Sequence, residues 1–288
     1  MFKRPLYWRR LFSSSLLYGT VFLVCFLWVL PTVGLMVSSF RPPNDIVTSG
    51  WWTVFRNPLK IDQYTLENYR RVISSYGLGI AFLNSLTVAI PSTVIPITVA
   101  AFAAYAFAWM KFPGRKVFFT LVIAMIVMPL QMALIPVLRL YIQWKLNGTF
   151  LGIWLVHTGF GIPLAVYLLY SCISQLPRDL VEAAAMDGAS HFQILTSLIL
   201  PLSMPTIASF AVFQFLWIWN DLLVSLVFLG TSQSVATLTV ALSELVGTRG
   251  QDWHLLTAGA FVATAVPLMV FFSLQRYFVR GILAGSVK

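Results

Sequence analysis

The stretch LVEAAAMDGASHFQILTSLILPL, residues 180–202, interrupts a chain that is otherwise almost continuously apolar. With the preceding Asp179 it gathers three carboxylates, Asp179, Glu182 and Asp187, into one short region. Its first half reads as a helix with explicit ends. Pro177 falls near the first turn, Asp179 and Glu182 lie toward the positive end of the helix dipole, three alanines follow, and Gly188 is placed as a stop. A second helix is expected over 190–200, ending at Pro201 and leading into the next apolar run. Ala183, Ala184 and Ala185 offer a smooth surface to an approaching protein, and Leu180, Val181 and Met186 add apolar contact.

The sequence around this insert belongs to a bilayer. Of 288 residues, 59% are hydrophobic and 10% charged, and the mean hydropathy is +0.84, outside the range of ordinary soluble domains. Six runs approach the roughly 20 residues that a transmembrane helix needs: 14–37, 80–109, 117–140, 151–172, 205–229 and 255–275. The first is too long for a signal-peptide core and lacks a small-residue cleavage pattern, so it is read as a retained helix. The expected fold class is therefore an all-α integral membrane protein with six transmembrane helices. A short segment 1–13 precedes them, the transmembrane domain spans 14–276 with the polar insert at 173–204, and a tail occupies 277–288.

The net charge of +10 does not point to nucleic acid, because the cations cluster beside apolar runs in the manner of topology signals. Lys3, Arg4, Arg9 and Arg10 precede the first run, Lys111, Arg115 and Lys116 follow the second, and Arg276, Arg280 and Lys288 follow the last. On the other side Arg41, Arg56, Lys60, Arg70, Arg71, Lys145 and Arg249 are accompanied by Asp45, Asp62, Glu67, Glu244 and Asp252. This bias predicts that both termini, and with them the insert, are cytoplasmic. Cys25 and Cys172 fall within apolar runs, where core packing is expected rather than a disulfide or metal site.

Pro31, Pro91, Pro96, Pro129, Pro136, Pro163 and Pro267 lie inside the apolar runs. Each removes a backbone donor, and in lipid the freed carbonyl must find a neighbouring helix, a hydroxyl or water. A kinked bundle around an interior path is the expectation. The outer segment 40–79 contains Trp51 and Trp52, suited to a membrane interface. It also contains TLENYRRVI, residues 65–73, with Thr65 as a cap and Leu66, Tyr69, Val72 and Ile73 at helical spacing.

Glu182, Ala183, Ala184, Gly188, Leu200 and Pro201 stand at the spacing of the EAA loop of ABC-importer permeases: Glu-Ala-Ala, three residues, Gly, nine residues, Ile, one residue, Leu-Pro. Leu198 occupies the isoleucine position. TLENYRRVI, FLNSL (82–86), AAYAFAWMKFPGRK (103–116), WNDLL (219–223) and QRYFVRGILAGSVK (275–288) extend the likeness over most of the chain. The sequence resembles carbohydrate permeases of the maltose-transporter type, in particular the smaller permease subunit, and within that group an alpha-glucoside or glucosylglycerol permease. The resemblance implies type I ABC-importer architecture in a bacterial-type inner membrane. It further implies a second homologous permease, two ABC ATPase subunits and an extracytoplasmic solute-binding protein as partners, with a carbohydrate as cargo. The coupling residues would be Glu182, Ala183, Ala184, Asp187, Gly188, Leu200 and Pro201. No G-x-x-x-x-G-K-[ST] phosphate loop occurs, so the chain is expected not to be an enzyme and to hold no cofactor; ATP and Mg would be bound by the partner ATPases.

Candidates for the substrate path come from the fifth apolar run. Asp221 there would cost about 2.5–3.5 kcal/mol at a helix centre, so it should face protein or water. Gln214, Trp217 and Asp221 share one face at three- and four-residue spacing, with Asn220 beside them. Hydroxyl-directed groups plus a flat aromatic suit a sugar, but an interhelical polar clamp would also explain Asp221. Asn84 in the second run is a candidate for the same two roles. The outer loop 230–253, with Thr231, Ser232, Glu244, Gly247 and Gly250, suits either contact with a binding protein or a solvated connector. His157, His191 and His254 show no metal spacing and read as packed or interfacial. An ion-coupled secondary transporter should carry ionisable residues in several helices and internal repeats, and neither is evident. A non-transporting structural subunit would leave the insert unexplained.

Overall fold

The computed structural model describes the backbone of residues 5–249 and 252–286 and the side chains of 14–246 and 252–273. In chain order the helices are α1 (Pro5–Ser39), α2 (Pro43–Thr48), α3 (Glu67–Ser74), α4 (Leu78–Trp109), α5 (Arg115–Ala124), α6 (Leu130–Gln143) and α7 (Phe150–Ile173). They continue as α8 (Arg178–Met186), α9 (His191–Gln193), α10 (Leu200–Leu202), α11 (Met204–Trp219), α12 (Leu223–Phe228), α13 (Leu238–Arg249) and α14 (Trp253–Ser286). No strand occurs among the described residues.

Four helices are long and apolar enough to cross a bilayer: Ser14–Ser39, Leu78–Trp109, Phe150–Ile173 and Trp253–Ser273. Two further pairs qualify only as bent units, Arg115–Val127 with Leu130–Gln143 at 105° and His191–Leu202 with Met204–Trp219 at 75°, which makes six if each pair is one span. The third run expected over 117–140 is thus present as a bent span, with its end moved to Gln143. Pro129 pushes Met128 out of the helical region, to ψ 118, and the chain turns there. The fifth run expected over 205–229 is also corrected: its helix stops at Trp219, and the apolar partner of α11 lies upstream, in the second half of the insert.

The described residues form two compact units, one drawn from 1–76 and 245–262 and the other from 77–244 and 263–288. In the first, α1 turns its side chains outward: 6% of its most apolar window is buried, against 50% for Phe150–Ile173, and Trp28 is 82% exposed. Cys25 is exposed on this helix rather than packed in a core, and Cys172 on α7 is half-buried. The end of α1 is held by the segment that follows. Asn68 Nδ2 donates to the Ser39 and Arg41 carbonyls (3.0 and 2.8 Å), the Tyr69 and Ser39 hydroxyls bond at 2.7 Å, and Arg41 donates to the Gly50 carbonyl at 2.9 Å. The buried face of α3 is therefore Asn68 and Val72, while Leu66 and Ile73 of the expected apolar face are exposed. Thr65 Oγ1 accepts from Glu67 N at 3.1 Å, two residues before the helix start.

In the second unit α4 lies along α7, and α11 packs against both. Small residues permit this approach: Ala100, Ala101 and Ala104 of α4 and Ala165 of α7 are buried in one cluster with Leu169, Ile173 and Phe210. The prolines are served as the bilayer requires. Pro91 frees the carbonyl of Thr87, which accepts from Trp154 Nε1 at 2.8 Å; Pro96 frees that of Ser92, which accepts from Gln214 Nε2 at 3.5 Å. Pro267 frees that of Ala263, which accepts from Trp219 Nε1 at 3.0 Å. In each case a side chain from a neighbouring helix replaces the lost backbone donor, and α4 runs on through both prolines.

Candidate functional site

The insert folds as a self-contained helix, turn and helix. α8 begins after Pro177, carries Asp179 in its first turn and ends at Met186. Gly188 takes φ +81, the left-handed conformation that favours glycine. Its N–H donates to the Ala185 carbonyl (3.1 Å) and the Ala189 N–H to that of Ala184 (3.0 Å), which is the paired bonding of a Schellman cap. Two residues later Ser190 starts the next helix with a reciprocal capping box to Gln193. That helix runs one residue past its expected end at Pro201, to Leu202, through a π-helical stretch Ile194–Ile199. A widened turn before Pro201 is the usual relief for the clash between a proline ring and the carbonyl four residues back.

One face of the insert is rooted in the core and another is presented. Val181 and Ala184 pack against the cluster of α4, α7 and α11 residues, and Ile194, Leu195 and Ile199 are buried members of it, with Leu198 and Leu200 packed alongside. Glu182, Ala183, Ala185, Met186, Asp187 and Gly188 are exposed, as is Pro201 at the corner. The alanine surface is therefore Ala183 and Ala185, not Ala184, and Leu180 and Met186 rather than Val181 supply the exposed apolar contact. The end of α4 also grips the insert: Tyr105 OH bonds to His191 Nδ1 at 2.9 Å, and the Phe102 and Phe192 rings stack at 6.4 Å. Sequence reading singled out neither Phe102 nor Phe192 and read His191 only as packed or interfacial, because their partners are far away in the chain.

From Leu202 the chain turns 75° at Ser203 into α11. This helix carries Gln214 and Trp217 to a cleft of about 270 Å³. Met125 and Met128 from the 105° corner, Gly161 of α7, and Phe213, Gln214 and Trp217 line it. The setting is mostly apolar, with one amide and one indole, a composition typical of small-molecule sites. Gly161 lets the Gln214 amide lie close, since a Cβ here would come within 2.6 Å of Gln214 Nε2 and push that side chain aside.

The other path candidates are employed elsewhere. α11 ends before Asn220, which is exposed and bonds back to the Leu216 carbonyl, so Asp221 leaves the face of Gln214 and Trp217. The Asp221 carboxylate instead accepts from Val224 N (3.2 Å), Ser225 N (2.8 Å) and Ser225 Oγ (3.1 Å), capping α12. Asn84 Nδ2 donates to the Ser234 and Ala236 carbonyls (3.2 and 3.1 Å), and Ser85 Oγ accepts from Leu238 N at 2.8 Å. Both residues hold the segment that follows Gly230. Of the outer-loop residues, the Gly247 position has no described side-chain environment and Gly250 lies outside the described residues. No cluster of metal-ligating side chains occurs among the described residues.

The family model for the inner membrane component of binding-protein-dependent transport systems matches residues 96–284, from the middle of α4 through the insert, both corners and α14. The chain belongs to this family. The permease is 65% identical over 265 residues to the osmoprotective compounds uptake permease protein GgtD of Synechocystis sp., covering 92% of this chain and 89% of that one. It is 43% identical to the alpha-glucoside transport system permease protein AglG of Rhizobium meliloti, covering 93% and 96%. Its fold matches a chain of a bacterial ABC transporter involved in the import of the acidic polysaccharide alginate, with TM-score 0.71 and 19% identity over 96% of this chain and 99% of that chain. The expected type I ABC-importer architecture is therefore the fold, and the chain is a multi-pass membrane permease rather than an ATPase.

Proposed function

We propose that this permease is one of two transmembrane subunits of an ATP-driven importer for a neutral polyhydroxy solute, an alpha-glucoside or a glucosylglycerol-type osmoprotectant. The observation that carries the reading is the continuous path from insert to cleft. An exposed capped helix is rooted in the core and joined through one corner to the helix that bears Gln214 and Trp217. A partner that moves α8 moves α11, and with it one wall of the cleft. Such a lever suits alternating access, in which two packed arrangements are biased unequally by ligands. The solute class rests on the relatives' names together with the apolar, indole-bearing cleft.

In this reading both termini and the insert are cytoplasmic. Two ATPase subunits bind ATP and Mg and grip Glu182, Ala183, Asp187 and Gly188, a homologous permease completes the path, and an extracytoplasmic binding protein delivers the solute. Leu200 and Pro201 act at the corner rather than at the docking surface. The test is reconstitution of this chain with its companion permease, ATPase and binding protein in proteoliposomes. Labelled alpha-glucoside or glucosylglycerol should accumulate only with ATP and binding protein. Accumulation by this chain alone, driven by an ion gradient, overturns the proposal in favour of a secondary carrier.

A further inference from the structure

His157 sits on α7 one turn before Gly161, facing the part of α11 that forms the cleft wall. Its side chain is 1% exposed, and neither ring nitrogen has a hydrogen-bond partner. Leaving buried polar atoms unmet is costly, and where a native fold keeps such a group a ligand or water normally completes it. Three hydroxyls of the second unit share this condition, those of Ser92, Thr158 and Ser203. Thr158 Oγ1 and Ser92 Oγ are buried without partners, whereas Thr87, Thr93 and Thr98 each bond to the carbonyl four residues back. Ser92 lies where its own carbonyl receives Gln214, a residue of the cleft wall.

What stands against His157 is the Trp217 indole, edge-on at 6.2 Å between ring centroids and 79° between planes. Trp217 is itself 36% exposed and lines the cleft. A change in its side-chain torsion, or a shift of α11 along α7, would take this neighbour away from the imidazole. α11 is the helix joined to the insert, so the shift that uncovers His157 is the one that coupling produces.

We propose that His157 is a substrate-contacting residue of the translocation path, screened by Trp217 in this state and uncovered when α11 moves. A neutral imidazole presents one donor and one acceptor, which matches a hydroxyl that donates and accepts at once. The ligand class is a neutral polyol or sugar, with Trp217 turning from lid to stacking platform. This inference rests on the import function proposed above.

The full importer in proteoliposomes provides the test, with uptake measured against concentration of alpha-glucoside or glucosylglycerol, whichever the parent accumulates. His157→Leu is expected to raise KM about tenfold, the scale of one lost hydroxyl hydrogen bond, with kcat within about twofold. His157→Gln restores most of the affinity. An imidazole that merely fills space predicts the reverse, a wild-type KM in His157→Leu with no advantage for Gln, and that result overturns the inference. Where His157→Leu fails to assemble, His157→Cys in a chain with Cys25 and Cys172 replaced by serine supplies the readout. A charged thiosulfonate reagent should modify it only during ATP turnover and more slowly with solute present; no modification in any state overturns the inference. A parent importer that accumulates no such solute counts against the proposed function, while an active parent with an indifferent His157 counts against this inference alone.

Discussion

The two corners of this molecule are built differently. The 105° corner between α5 and α6 is made by one residue: Pro129 forces Met128 into an extended conformation, and the exposed Met125, Val127 and Met128 side chains turn outward or into the cleft. At the 75° corner Pro201 and Pro205 flank the buried Ser203, and the helix before it is anchored in the core by Ile194, Leu195 and Ile199. One corner shapes a wall, and the other joins a rooted helix to the one that bears Gln214 and Trp217, the transmitting joint of the proposed function. Proline therefore does not by itself mark a moving part. Packing on either side decides whether a bend is a fixed contour or a joint, and α4 shows a third result, two prolines with no break.

The largest effect is expected upstream of the transmitting corner. Gly188→Trp forces φ +81 on a bulky residue, a strain of about 1–2 kcal/mol, and places an indole on the exposed tip where no neighbour lies within 4 Å. Uptake should fall at least tenfold while membrane level and subunit assembly persist, and the ratio of solute moved to ATP hydrolysed should drop. Transport at the parental rate would remove the insert from the coupling path. Next comes the wall-shaping corner. Pro129→Ala restores a helical donor and favours continuity by about 3 kcal/mol, so cross-linking between engineered cysteines at positions 125 and 132 should report straightening, and uptake should fall several-fold.

A smaller effect tests a second helix that runs on through a proline, α14. Trp219→Phe leaves the carbonyl freed by Pro267 without its donor, a loss of about 1–3 kcal/mol, measured as a lower thermal midpoint of the solubilised importer with KM unchanged. The smallest change belongs to Ser203→Ala. The buried hydroxyl has no partner, so its removal should leave stability equal or raised by up to about 1 kcal/mol, read as an unchanged or slightly higher thermal midpoint. A marked drop would mean that the joint depends on that hydroxyl.

The insert was readable because its determinants are local. Pro177 and Gly188 mark the ends of one helix and Ser190 the start of the next, and each does in the fold what its position suggests. The apolar runs were readable as membrane segments and their prolines as kinks, but not which proline turns the chain and which is passed through, since hydropathy is the same on either side of a corner. Polar residues inside the bundle were the least readable. Asp221 looks like a charge stranded in a span, yet it caps α12, because α11 ends at Trp219. Asn84 looks like a path residue, yet its partners Ser234 and Ala236 are 150 or more positions away. His157 shows the opposite failure: a histidine that reads as packed proves to be packed without partners.

The Schellman cap and the capping box together mean that the insert closes its own backbone hydrogen bonds. A protein that docks on it meets a preformed peg and need not order a loop, which would otherwise forfeit about 1–2 kcal/mol of backbone entropy per residue. The free energy of that grip is thus available for displacement of α11 rather than for folding its handle.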